Sequence, residues 1–134
     1  MVLQDVSYQI RGSIFDVYNE LGPGLLESVY EKALIIEMRS RGLKIQNQVM
    51  FEVLYKGSSL GAQQRLDILV NDQVIIEIKS VEALQPVHHK QLISYLKLTG
   101  KPLGFLVNFN TDKIRENIKR VVNDTKHSRH QANP

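Results

Sequence analysis

Asp67, Glu77 and Lys79, in the middle third of the chain, have the types and spacing for metal-assisted hydrolysis. Glu77 and Lys79 stand two apart in a stretch that reads as a β-strand, so both side chains point to one face. Asp67 lies on the preceding strand, across a turn at Asn71-Asp72. Pairing Val70 with Gln73 or Val74 brings Asp67 beside Glu77, and neighbouring positions on one face lie roughly 5 Å apart. Two adjacent carboxylates in an apolar sheet repel, and each resists ionisation unless positive charge sits between them. A divalent cation supplies that charge: Asp and Glu oxygens, with water and a phosphate, make the usual Mg²⁺ site. Such an ion lowers the pKa of a bound water and neutralises charge growing on a phosphate. Lys79 can hold that water or stabilise the transition state as a point charge. A Glu-x-Lys pair alone equally describes a surface ion pair. Asp67 on the hairpin partner is what makes it a candidate site.

Other polar residues gather in helical stretches. Glu27 falls in the first turn of a helix that follows the Gly22-Pro23-Gly24 break. An acid there is also favourable for purely electrostatic reasons, by ~0.3–1 kcal/mol. His88, Gln91 and Tyr95 recur at i, i+3 and i+7 and share one helix face. Leu92, Ile93 and Leu96 form the packing face beside them, and the same polar stripe also describes a solvated flank. His88 and His89 diverge by about 100° around a helix, which argues against joint ligation of an ion.

The elements that must position these residues follow from periodicity. Leu3, Val6, Ile10, Ile14, Val17 and Leu21 mark one buried helical face. A second helix is expected over Leu25 to Arg39, with Leu26, Val29, Ala33, Leu34 and Ile36 available for packing. Val49 to Tyr55, Gln64 to Val70 and Val74 to Lys79 read as strands, separated by turns at Lys56-Gly57-Ser58-Ser59 and Asn71-Asp72. Val74-Ile75-Ile76 is apolar on both faces, which suits a central strand. Pro86 suits the first position of a helix running to about Leu98. Leu103 to Phe109 is a buried strand. Beyond it, either a strand over Ile118 to Val122 or a helix over Asp112 to Val122 fits. The order predicts one α/β domain, a mixed sheet flanked by helices.

Composition narrows the function. The 134 residues are 43% apolar and 23% charged, ordinary values for a globular domain. No apolar run approaches the ~20 residues that span a bilayer, so no membrane partner is expected. The absence of cysteine excludes disulfides, thiolate zinc sites, iron–sulfur clusters and a cysteine nucleophile. It fits a reducing cytoplasm, as does the lack of a signal-peptide pattern at Met1 to Gln9. Of the 17 Lys and Arg residues, Lys113, Arg115, Lys119, Arg120, Lys126 and Arg129 lie near the C-terminus, against Glu116 and Asp124. A basic end suits contact with phosphate backbone, and equally a solvated tail.

Gly24-Leu25-Leu26-Glu27-Ser28-Val29-Tyr30 resembles the pattern that names the GxxExxY proteins of bacteria and archaea. The resemblance continues through Tyr55-Lys56-Gly57, Arg65-Leu66-Asp67, Glu77-Ile78-Lys79-Ser80, Pro86-Val87-His88, Gln91-Leu92, Tyr95-Leu96 and Val107-Asn108-Phe109. That family is assigned to the PD-(D/E)XK nuclease superfamily. The resemblance, from about Val6 to Val122, implies a single-domain restriction-endonuclease-like fold, placed over residues 1–126, and the residues of 127–134 read as a flexible basic C-terminal tail. It implies a Mg²⁺- or Mn²⁺-dependent phosphodiesterase acting on nucleic acid, DNA rather than RNA. By analogy alone, it implies a homodimer. Asp67 and Glu77 resemble the metal-binding acids, Lys79 the catalytic lysine, and Glu27 a helical acid that completes or supports the metal site. Gln91 and Tyr95 would line the substrate groove, as in the RecB-type branch, and Arg65 and His88 would contact phosphate or support the site. No proline precedes Asp67, a departure at a position that varies across the superfamily. A second reading is a nuclease-like module that binds nucleic acid or a protein without turnover. The intact trio favours the enzyme.

Overall fold

Helix α1 (Leu3–Leu21) carries the expected stripe, with Val6, Ile10, Ile14 and Val17 buried. The computed structural model describes residues 1–124, so the tail expected over 127–134 lies outside the described residues. Helix α2 (Glu27–Ser40) starts two residues later than expected and packs through a different face. Tyr30, Leu34, Ile35 and Met38 are buried, whereas Leu26, Val29 and Ile36 are exposed. Tyr30 decides the rotation: its hydroxyl donates to Gly22 O at 2.6 Å and accepts from Leu25 N at 3.1 Å, and its ring stacks on Phe109 at 4.3 Å. A tyrosine with partners at both ends outweighs an aliphatic stripe in setting the buried face.

The main sheet has five strands in the order β1 (Ile45–Phe51), β4 (Gln64–Val70), β5 (Val74–Lys79), β6 (Leu103–Asn108), β7 (Ile118–Val122). β5 and β6 are parallel and the other pairs antiparallel, so the sheet is mixed as expected. A parallel neighbour needs a crossover, and α3 (Pro86–Thr99) provides it. Pro86 opens this helix, and Gly104 lets it approach: a Cβ there would meet Leu92 Cδ1 at 2.8 Å. Helices α1 and α2 cover one face of the sheet, against Ile68, Val70, Ile76, Ile78, Phe105 and Val107. α3 covers the other, against Leu66, Leu69, Ile75 and Leu106. β5 is thus buried on both sides, which explains its apolar run.

Two elements differ from the reading of the sequence. β1 begins at Ile45 and ends at Phe51, where its pairing with β4 runs out at Gln64. Tyr55 belongs to a separate hairpin, β2 (Leu54–Tyr55) with β3 (Ser58–Ser59). Lys56 and Gly57 join them with φ 50° and 82°, the two positive values that a tight type I′ turn needs. After β6, a single 3₁₀ turn (Ile114–Asn117) leads directly into β7, so the strand expected over Ile118 to Val122 is present and the alternative helix over Asp112 to Val122 is not.

Candidate active site

The β4–β5 ladder closes with Val70 opposite Val74, Leu69 opposite Ile75 and Ile68 opposite Ile76. The next level in this register sets Asp67 opposite Glu77, and there backbone pairing stops. The Asp67 N–H donates to Glu77 Oε2 at 3.0 Å, and the Ile78 N–H donates to Asp67 Oδ2 at 2.8 Å. Each carboxylate takes the place of a carbonyl of the neighbouring strand, so the strands fork with both acids at the opening. On the other side of β4 the pairing also skips this level. Asn47 pairs with Ile68 and Val49 with Leu66, while Gln48 between them adopts φ 53°. Leu66 and Leu69 both face α3, whereas Ile68 and Val70 face α1 and α2, so β4 twists out of alternation at Asp67.

Burial and crowding set the electrostatics. Glu77 is 4% exposed. Its pKa is pushed up to about 8, first by burial and then by the charge of Asp67. Asp67 is also held above the usual carboxylate range, chiefly by burial and by Glu31. The Ile78 N–H and Lys79 oppose that rise. One oxygen of each acid, Asp67 Oδ1 and Glu77 Oε1, accepts no hydrogen bond among the described residues. No buried side-chain polar atom there lacks a partner, so these oxygens open to water. Lys79, at the end of β5 on the Glu77 face, makes no ion pair among the described residues.

The end of β5 is fixed from the helical side. Glu27 Oε1 accepts from Ser80 N at 3.2 Å, and Ser80 Oγ donates to Leu25 O at 2.6 Å. Buried Asn108 clamps the next residue, accepting from Val81 N and donating to Val81 O, each at 3.0 Å. Gly24, at φ 97°, bends the chain so that Leu25 and Glu27 reach Ser80. Glu27 therefore stands beside the acids without joining them. Among the described residues no three His, Cys, Asp or Glu side chains gather closely enough to hold a cation.

Glu31 and Gln64 were not identified from the sequence. Glu31 sits one turn beyond Glu27, accepts from Asn47 at 3.3 Å and Gln48 at 2.8 Å, and raises the pKa of both acids. Its i, i+4 spacing from Glu27 was the available signal. Gln64 Oε1 accepts from the Tyr95 hydroxyl at 2.8 Å, and Gln91 Nε2 donates to that hydroxyl at 3.1 Å. Tyr95 is buried, edge-on to Phe51, and its pKa is raised by burial and then by Glu77 and Asp67. Gln91 and Tyr95 thus flank the acids. His88 does not join them in a polar network: its Nδ1 accepts from Gln85 N at 2.9 Å in the capping box of α3. Arg65 is exposed, opposite Met50 of β1.

Two neighbouring carboxylates, each with an oxygen that accepts no hydrogen bond among the described residues, fit Mg²⁺, which takes one or two protein carboxylates and completes its shell with water and substrate phosphate. A family model described as the PD-(D/E)XK nuclease superfamily matches residues 4–121. No curated protein matches the chain.

Proposed function

We propose that this chain, which belongs to the PD-(D/E)XK nuclease superfamily, is a metal-dependent phosphodiesterase that cuts nucleic acid, DNA rather than RNA. Its five-stranded mixed sheet flanked by helices is consistent with the restriction-endonuclease-like fold, and members of the superfamily are generally nucleases. The forked β4–β5 ladder carries the proposal. A regular hairpin would pair its backbone groups with each other, whereas here the part-buried N–H groups of Asp67 and Ile78 aim two acids at one opening. In this reading Asp67 and Glu77 would hold Mg²⁺ or Mn²⁺. The ion supplies charge neutralisation and an activated water when bound. Lys79 then places its ammonium beside the phosphate, where charge develops. Glu27 acts through Ser80 to hold the end of β5, and Glu31 adds negative charge behind the acids. Gln91 and Tyr95 form the groove wall opposite α2.

The Gly24-x-x-Glu27-x-x-Tyr30 pattern supports placement within the GxxExxY group, and each named residue has work in this loop: a turn, a cap on Ser80, and a lock on the turn. No helix among the described residues is long and apolar enough to cross a membrane. Cytoplasmic residence and a homodimer complete the proposal. That no third His, Cys, Asp or Glu gathers with the two acids among the described residues favours one other reading, a module that binds nucleic acid or a protein with little or no turnover. The test is cleavage of labelled single- and double-stranded DNA and RNA with Mg²⁺, Mn²⁺ or chelator. The nuclease reading expects cutting only with metal, and none by Asp67→Ala. Binding without cutting, unchanged in Asp67→Ala, selects the module.

A further inference from the structure

The β2–β3 hairpin stands apart from the main sheet and leaves large apolar side chains uncovered. Leu54, Tyr55 and Leu60 are 57%, 60% and 51% exposed. The hairpin is nonetheless well built. Tyr55 pairs with Ser58 across the turn, Leu60 N donates to Val53 O at 2.8 Å, and Val53 N donates to Gly61 O at 3.3 Å. Strand alternation then puts Tyr55, Val53 and Leu60 on one face. The Lys56 ammonium lies 5.4 Å from the Tyr55 ring centroid.

Its root touches the candidate active site. The last rung of β1 and β4 pairs Phe51 with Gln64. Phe51 lies against Tyr95 and Gln64 accepts from it, and Asp67 follows three residues along β4. From Val53 to Leu66 the chain has no acid and two cations, Lys56 and Arg65. An exposed tyrosine beside a lysine, on a hydrogen-bonded hairpin leading to the proposed phosphate-cutting site, matches the needs of an unpaired nucleotide: a ring for the base and a charge for the backbone. Bases in an intact duplex keep their faces stacked on each other and offer Tyr55 none.

We propose that Tyr55 and Lys56 form a stacking platform for an unpaired nucleotide, so that the protein favours single-stranded or locally opened nucleic acid. This rests on the nuclease reading above and names the form of its substrate.

Fluorescence anisotropy with a single-stranded and a blunt duplex oligonucleotide tests it, using Asp67→Asn as the background to suppress cutting. Tyr55→Ala should weaken single-strand binding by ~5- to 160-fold, the range for losing one stacked base. Tyr55→Phe should retain it, and duplex binding should change little. Lys56→Ala should reduce the slope of log affinity against log salt by about 0.7 for the single strand. The Tyr55 side chain is exposed, so an unchanged thermal midpoint in Tyr55→Ala confirms that the fold persists. Equal weakening on both oligonucleotides overturns the strand preference. No change in Tyr55→Ala overturns the platform, even where wild-type cleavage is intact and the nuclease reading stands. Loss of cleavage and binding in the wild type itself overturns both.

Discussion

The two halves of the β4–β5 hairpin are built from the same strands and obey different rules. Near the turn, Ile68 to Val70 and Val74 to Ile76 pair backbone to backbone, and every one of these six residues is buried. One level further on, Asp67 and Glu77 accept backbone N–H groups with side-chain oxygens, and the ladder ends. A buried N–H must find an acceptor, because leaving it unpaired costs roughly 1–3 kcal/mol. In the closed half carbonyls meet that need. In the forked half carboxylates do, and their remaining oxygens face water. The closed half is therefore read as scaffold, and the forked half as the place where a regular ladder was given up for a polar opening.

Substitutions should separate these halves, beginning with the largest effect. Lys79→Ala, at the fork, should slow cleavage by ~10²–10³, the scale for losing one transition-state stabiliser. It should leave the thermal midpoint and Mn²⁺ binding by calorimetry nearly unchanged. Ile76→Ala, in the closed half, should show the opposite signature. It should lower stability by ~2–5 kcal/mol in urea unfolding, while the folded fraction keeps its turnover. A large loss of turnover in folded Ile76→Ala, or of stability in Lys79→Ala, would erase the distinction.

How far the sequence disclosed this contrast depends on the range of the signal. Alternation and turn residues located β4, β5 and the level of Asp67 and Glu77, because a hairpin's register follows from its turn. The fork itself was not legible. It depends on a twist at Asp67 that no periodicity encodes, and on Gln48 from a strand that is distant in sequence. Glu31 was missed for a similar reason: a second acid one helical turn after Glu27 reads as a solvated flank until Asn47 and Gln48 are seen beside it. The packing face of α2 departs from its aliphatic spacing because the Tyr30 hydroxyl finds partners at Gly22 and Leu25, which no spacing encodes. His88 shared a face with Gln91 and Tyr95 as expected, yet its position at the helix start gave it a capping partner.

The fork should also make stability depend on pH in an unusual direction. The Glu77 pKa rises from 4.5 to about 8 on folding, so between these values the folded state holds a proton that the unfolded chain has lost. The resulting stability is complete below about 4.5 and is lost as pH rises toward 8. Asp67 shifts in the same direction. Without metal, each pH unit inside this window should remove up to ~1.4 kcal/mol for one such group. Urea midpoints at pH 6 and pH 7 measure this. Glu77→Gln should flatten the slope, and Mg²⁺ should stabilise the wild type more at pH 8 than at pH 5. A slope that survives Glu77→Gln would move its origin away from the fork.

The smallest effect should come from Tyr30→Phe, which sharpens the contrast from outside the hairpin. The fork lacks ladder pairing and relies on neighbours to hold its ends, and Tyr30 secures the loop that carries Leu25 and Glu27 to Ser80. Removing its hydroxyl leaves the stack on Phe109 in place but takes a donor from Gly22 O and an acceptor from Leu25 N. Both groups are only part-buried, so water replaces part of the lost bonding and the stability loss should be ~1 kcal/mol. Hydrogen exchange should reveal where that loss falls. The Leu25 and Ser80 amides should exchange faster in Tyr30→Phe, while those of Ile75 and Ile76, in the closed half, should lose protection no faster than global unfolding requires. Equal loss of protection at both places would mean that the hairpin opens as one unit, and that fork and ladder are not separately held.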